Sequence, residues 1–195
     1  MTDAALREGV KRAFSSIAEH PQDEPLFPTG RALAEDLGYP ASLLDTLPII
    51  SVDAFCGVSN VSLFAEIPEG TTVLDLGCGA GLDTLIAARR TGEKGRVIAI
   101  DFSPAMLTRA RQALAESQTT NVETLLADAE KLPVEARSID IAIINGIFNL
   151  NPNREQMFSE LARVAKPGGA VYAAELVLTA PLPAEDRQSA ENWFR

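Results

Sequence analysis

The run Val73-Leu74-Asp75-Leu76-Gly77-Cys78-Gly79-Ala80-Gly81 constrains this chain more than any other segment. A short apolar stretch carrying one acid ends in glycines at alternate positions, and a helix is predicted to begin at Leu82. Glycine has no Cβ, so a chain can turn sharply there and lay its backbone against a ligand. A second apolar run, Arg96-Val97-Ile98-Ala99-Ile100, ends in Asp101. Strand, glycine turn, helix and strand in that order specify a parallel βαβ unit. Such sheets bind ligands outside the carboxyl ends of their strands.

The spacing separates one ligand class from another. The dinucleotide fingerprint G-x-G-x-x-G uses its third glycine for helix packing and sets a pyrophosphate on the helix N-terminus. Here the glycines follow Gly77-x-Gly79-x-Gly81, and Leu82 stands where that third glycine would fall. A carboxylate at Asp101 can accept hydrogen bonds from both hydroxyls of a ribose. These features point to S-adenosylmethionine (SAM), which carries a ribose but no phosphate and needs no basic clamp. A glycine turn that binds nothing has the same local form, so the surrounding elements decide.

At 195 residues the chain is long enough for one domain with a real core. Its net charge of −10, with no Lys/Arg cluster, argues against nucleic acid as a partner. Cys56 and Cys78 cannot make a disulfide framework, so a reducing cytoplasm is the expected compartment. Met1–Phe14 mixes charges and lacks the apolar core of a secretory signal. No stretch approaches the ~18 consecutive apolar residues of a membrane span, so no membrane association is expected.

The pattern predicts an N-terminal helical and loop segment, 1–69, packing on a cofactor core, 70–195. In the first, a helix is expected over 3–19, capped by Thr2 or Asp3, with Ala4, Ala5, Val10, Ala13, Phe14 and Ile17 on one stripe. Helices are expected over 29–37, closed by Gly38, and over 41–47; residues 49–65 give no clear pattern. In the second, strands are expected over 72–76, 96–101, 122–127, 139–145 and 170–178. Helices over 82–91, 104–117 and 153–165 alternate with them, Ser103 capping the middle one and Pro104 opening it. This is an α/β, doubly wound, mostly parallel sheet, Rossmann-like in plan.

Four segments together resemble the class I SAM-dependent methyltransferase superfamily: Val73–Gly81, Asp101–Leu107, Ala127–Pro133 and Val164–Gly169. The resemblance implies that Gly77, Gly79 and Gly81 line the methionine and ribose of SAM, with Asp75 beside them. It implies that Asp101 holds the ribose hydroxyls, and that Phe102 and Met106 flank the adenine. Asp128 would meet the adenine amino group and the Ala129 N–H a ring nitrogen. Asn145 and Gly146 would stand where the methyl group faces its acceptor. S-adenosylhomocysteine (SAH) would be the product.

Within the superfamily, Gly79–Thr84, Asn145–Leu150, Leu178–Pro183, Leu37–Pro40 and Phe55–Asn60 are similar to arsenite methyltransferases. By that likeness Cys56, Gly146 and Asn149 lie on the acceptor side. The likeness breaks at the thiols. The family holds trivalent arsenic on cysteines, soft ligands for a soft centre. Cys56 matches one of them, Gly146 replaces a second, and a third would lie past the last residue given. One thiolate cannot supply a three-coordinate site, which argues against arsenite as the acceptor. The plainer reading of Cys56 is a small packing residue, and of Cys78 one that packs under its turn. His20, the sole histidine, sits in a proline-rich loop and reads as a surface residue rather than a general base.

No catalytic side chain and no metal site are expected. Transfer from a sulfonium needs in-line positioning more than a base. That favours a small acceptor already nucleophilic without deprotonation. The superfamily sheet also ends in an antiparallel hairpin for which Thr179–Arg195, with Pro181 and Pro183, leaves no room. The exposed edge implies a fragment, a homodimer, or a separate partner chain, with Trp193 and Phe194 as anchors. Two functions follow: a small-molecule methyltransferase, or a SAM-binding subunit without turnover that acts through a partner. A dehydrogenase is a distant third.

Overall fold

The computed structural model describes residues 3–19 and 27–180. Thr2, His20, Pro21, Pro181, Pro183, Trp193 and Phe194 lie outside them. Five strands form one sheet: β1 (Thr72–Leu76), β2 (Arg96–Asp101), β3 (Val122–Leu126), β4 (Ile139–Asn145) and β5 (Ala165–Ala174). Their order is β3-β2-β1-β4-β5, and every pairing is parallel. The chain winds outward from β1 to β3, then returns to the other side of β1 at β4. That reversal opens a crevice at the carboxyl ends of β1 and β4.

The central strands read as buried runs because helices cover both faces. Leu74, Leu76, Ile143 and Ile144 are essentially inaccessible. Each stabilises the sheet by about 1.5–3 kcal/mol relative to exposure. One face is covered by α8 (Arg154–Val164), whose Met157, Leu161 and Val164 meet Leu74, Leu76 and Ile144. The other carries α6 (Leu82–Thr91), which packs its Ala87 and Ala88 on Val73 and Val97. Next to it α7 (Pro104–Glu116) starts as expected: the Ser103 hydroxyl accepts the Met106 N–H.

The leading segment holds α1 (Asp3–Glu19), α2 (Gly30–Asp36) and three one-turn helices, α3 (Ala41–Leu44), α4 (Ile49–Val52) and α5 (Val61–Phe64). Ala34, Tyr39, Leu44, Val52 and Phe55 form a common core with Leu82, Leu85, Ile86, Ala113 and Leu114. The helix expected over 41–47 stops at Leu44, and the unassigned stretch 49–65 contributes α4 and α5. Helices this short have no stability of their own, so packing rather than periodicity makes them. On α1 the buried positions are Leu6, Val10, Ile17 and Ala18; Ala5 is exposed instead.

The fifth strand is shifted from its expected range. It begins at Ala165, opposite Ile139, and regains register where Ala170 meets Ile141. Lys166-Pro167-Gly168-Gly169 therefore forms an irregularity within the strand, and the Lys166 ammonium donates to both Asp140 oxygens at 2.8 Å. Pairing ends at Ala174, so Glu175–Leu178 is not strand. Among the described residues no strand covers the outer edge of β5.

Candidate functional site

The crevice is a cavity of about 1080 Å³, counting the part open to solvent. Its floor is the turn after β1. The Gly77 N–H donates to the Ile100 carbonyl at 2.8 Å, and φ is +80°. A Cβ there would stand 2.5 Å from Ile147, so only glycine fits. At Gly79, φ is +53° and a Cβ would meet nothing within 4 Å. The bare backbone of Gly79 therefore faces open space on the cavity wall.

Asp101 closes the turn from the end of β2. Its Oδ2 accepts the Gly79 N–H at 2.9 Å and its Oδ1 the Ser103 N–H at 2.8 Å. A carboxylate has about four acceptor sites, more than these bonds use, and Asp101 lines the cavity. Burial pushes this carboxyl up to about 6, against the opposing pull of the backbone N–H groups. Phe102 lies beside it on the wall. Asp128 and Ala129 line the far end; Asp128 accepts the Glu130 N–H at 2.9 Å and the Arg7 guanidinium at 2.7 Å.

The opposite wall depends on Asn145. Its Oδ1 accepts the Val58 and Ser59 N–H groups at 2.8 and 3.1 Å. Its Nδ2 donates to the Ser59 carbonyl at 2.7 Å and to Asp83 at 2.8 Å. Three of these four bonds hold the 57–60 loop against the sheet, and the fourth ties Asp83 to it. Asp83 also accepts the Tyr39 and Ser62 hydroxyls. Burial pushes the Asp83 carboxyl upward, and these donors pull it back. Cys56, Gly57 and Gly146 complete this wall. Burial and the Asp101 charge raise the Cys56 thiol to about 12, so it stays protonated at neutral pH.

Of the residues expected at the site, Gly77, Gly79, Asp101, Phe102, Asp128, Ala129, Asn145, Cys56 and Gly146 line the cavity. Four do not. Asp75 faces away and accepts the Thr84 hydroxyl; burial and Asp83 raise it to about 8. Gly81 opens α6 at φ +89°, where a Cβ would crowd Ala110. Met106 is fully buried with Ile17, Ala18 and Ala80 beneath the turn. Asn149 turns outward and bonds the Leu176 carbonyl. Conversely, Arg7, Val10, Phe14, Phe55 and Asp83 line the cavity and are not among the residues expected to contact cofactor or acceptor. Only Asp83 carried a local signal, an acid in the first turn of the helix after the glycines.

A doubly wound sheet whose glycine turn and strand-end carboxylate face one cavity is the arrangement of α/β domains that take ligands at the carboxyl ends of their strands. A family model described as a methyltransferase domain matches residues 67–194. The arsenite methyltransferase of Halobacterium salinarum is 39% identical over 151 residues, 77% of this chain and 38% of that protein. The demethylmenaquinone methyltransferase of Shouchella clausii is 37% identical over 111 residues, 56% of this chain and 47% of that one. The structure of an arsenic (III) S-adenosylmethionine methyltransferase from Chlamydomonas reinhardtii superposes with a TM-score of 0.63 at 29% identity, covering 83% of this chain and 54% of that one. The chain belongs to the methyltransferase domain family. It spans less than half the length of both curated relatives.

Proposed function

We propose that the chain binds SAM in this cavity and transfers its methyl group to a small-molecule acceptor, leaving SAH. The observation that carries the reading is Asp101: a buried carboxylate on the cavity wall, held by the Gly79 and Ser103 N–H groups, with lone pairs that those bonds do not use. The residues fit the cofactor. Asp101 would take the ribose hydroxyls, Phe102 an adenine face, and Asp128 with the Ala129 N–H the adenine edge. The bare backbone of Gly77 and Gly79 would lie along the ribose and methionine. When bound, SAM supplies an electrophilic methyl group on a positively charged sulfur.

The chain's own work is positioning and exclusion of water. Val10, Phe14, Phe55 and Ile147 give the cavity apolar walls, and Cys56 and Gly146 bound it where Asn145 ends β4. No histidine stands among the described residues, and Cys56 keeps its proton. This favours an acceptor that attacks without losing a proton to the protein first, such as sulfur, a metalloid or a neutral amine. Gly146 stands where the resemblance implies a second arsenic-binding cysteine, so arsenite has less support than the general class.

A second reading is a SAM-binding chain without turnover of its own. The outer edge of β5, which no strand among the described residues covers, favours it, with Phe64, Val171, Leu176, Val177 and Leu178 exposed nearby. In that reading a second copy or a partner chain covers the edge. The free thiols fit a reducing compartment, the cytoplasm; no described helix is long and apolar enough to cross a membrane.

Calorimetric titration with SAM and SAH, with NAD as control, tests the site. Micromolar binding of both with silence from NAD supports it, and no binding overturns it. A survey of methyl acceptors with the mass of the assembly then separates the two readings.

A further inference from the structure

The described residues place an ion cluster on the cavity rim, of which the reading above uses only Asp128. Helix α1 roofs one side: Val10 and Phe14 face the cavity, while Ile17 and Ala18 seat the helix on Ala54, Ala80 and Met106. One turn before Val10, Arg7 reaches across to the loop after β3. Its Nη1 donates to Asp128 Oδ2 at 2.7 Å and its Nη2 to Glu130 Oε1. The other Asp128 oxygen accepts the Glu130 N–H at 2.9 Å. The other Glu130 oxygen accepts Asn153 Nδ2 at 3.2 Å, at the start of α8.

An isolated surface ion pair contributes little. This one differs in geometry. One planar guanidinium spans two carboxylates, and Glu130 is mostly buried, with its side chain 15% exposed. The partners stand more than a hundred residues apart, on the roof helix and on the loop at the far end of the cavity. Both Asp128 oxygens are fixed, yet each keeps one acceptor site. A carboxylate held that way meets an incoming N–H donor without ordering itself on binding.

We infer that Arg7 is a positioning residue: it holds the Asp128 carboxylate at the rim so that its free lone pairs select a purine bearing a 6-amino group. The inference rests on the reading that the cavity takes SAM. Selection of the base then depends on α1, a helix outside the βα core.

The test compares SAH with S-inosylhomocysteine, in which a carbonyl replaces the 6-amino group. The full chain is titrated with each. The wild-type chain prefers SAH by about 10- to 100-fold, as expected for a hydrogen bond to a charged group. Arg7→Gln lowers that preference by about threefold or more, and Arg7→Lys, which keeps the charge but not the fork, lies between. Arg12→Gln, which removes an equal charge from the exposed face of the same helix, leaves the preference unchanged. Rising salt also erodes the wild-type preference, because the cluster is partly exposed; this arm needs no variant to fold.

An Arg7→Gln chain that binds both ligands more weakly at an unchanged ratio shows that Arg7 only seats the helix, and overturns the inference. So does a wild-type preference that salt does not move, or a wild-type chain that binds both ligands equally. A wild-type chain that binds neither overturns the SAM reading itself.

Discussion

Asp101→Asn separates the proposed ribose clamp from a merely structural acid. In the wild-type chain Oδ2 takes the Gly79 N–H at 2.9 Å and Oδ1 the Ser103 N–H at 2.8 Å. An asparagine keeps one acceptor and turns its NH₂ toward the other backbone donor. That buried mismatch costs about 1–3 kcal/mol of stability. The clamp loses a charged acceptor as well, a further ~1.5–3 kcal/mol in binding, or roughly 10- to 100-fold in Kd for SAH. A pH signature goes with it. Burial holds Asp101 up to about 6 in the free chain. Binding that needs the ionised form weakens as pH falls through that value, by about tenfold between pH 7 and pH 5. Titration calorimetry with SAH at pH 5, 6 and 7, with thermal melts beside it, reads all three quantities. The Asn variant binds weakly and without that slope. A wild-type Kd that is flat from pH 7 to pH 5, or an Asn variant with the same slope, would refute the clamp.

Stability carries a pH signature of its own. Burial and the Asp83 charge raise Asp75 from 3.8 to about 8, so the folded chain holds a proton there that the unfolded chain releases above its ordinary value. The stability this contributes is full below about pH 4 and is lost as pH rises toward 8, with Asp101 and Asp83 shifted in the same sense. Melting temperature therefore falls from pH 5.5 to pH 8.5, and Asp75→Asn makes the fall shallower; an unchanged slope contradicts the assignment. Gly77→Ala forces a Cβ against Ile147 at φ +80°, costs about 1–3 kcal/mol in chemical denaturation and abolishes SAH binding. Wild-type stability in that variant contradicts the turn geometry. Asn145→Ala strands the Val58 and Ser59 backbone groups and one Asp83 oxygen, costs roughly 2–4 kcal/mol, and speeds alkylation of Cys56 as read by mass spectrometry. Unaltered alkylation would show that Asn145 does not anchor the loop.

The elements legible in the sequence are those made by local rules. β1, β2, β4 and α6 sit at their expected ranges because buried apolar runs and glycine turns bound them. β5 was misplaced because Lys-Pro-Gly-Gly reads as a turn, whereas the sheet carries it as a shifted segment of strand. The site divides the same way. Gly77, Gly79 and Asp101 follow from spacing alone. Asp75, Gly81 and Met106 belong to the same spacing yet face away from the cavity. A strand sends alternate side chains to opposite faces, and a helix start points some of its residues into the core. Arg7 and Phe14 were not legible, since what brings them to the cavity is the docking of α1 on α7.

That division has a chemical meaning. The half of the cavity proposed for the cofactor is built from three strand ends and the turns next to them. The half proposed for the acceptor is assembled from distant pieces, the 54–58 stretch and the loop after β4, and α1 reaches from this roof to Asp128. Asn145 joins the halves, because it ends β4 and spends every polar atom of its amide on the leading segment or on Asp83. Asp83 extends the joint to Tyr39 and Ser62. These bonds tie the leading segment to the end of β4, where the methyl group is proposed to lie. Recognition of the acceptor should respond to substitutions in the 54–58 stretch while SAM affinity, set mainly by the strand ends, holds.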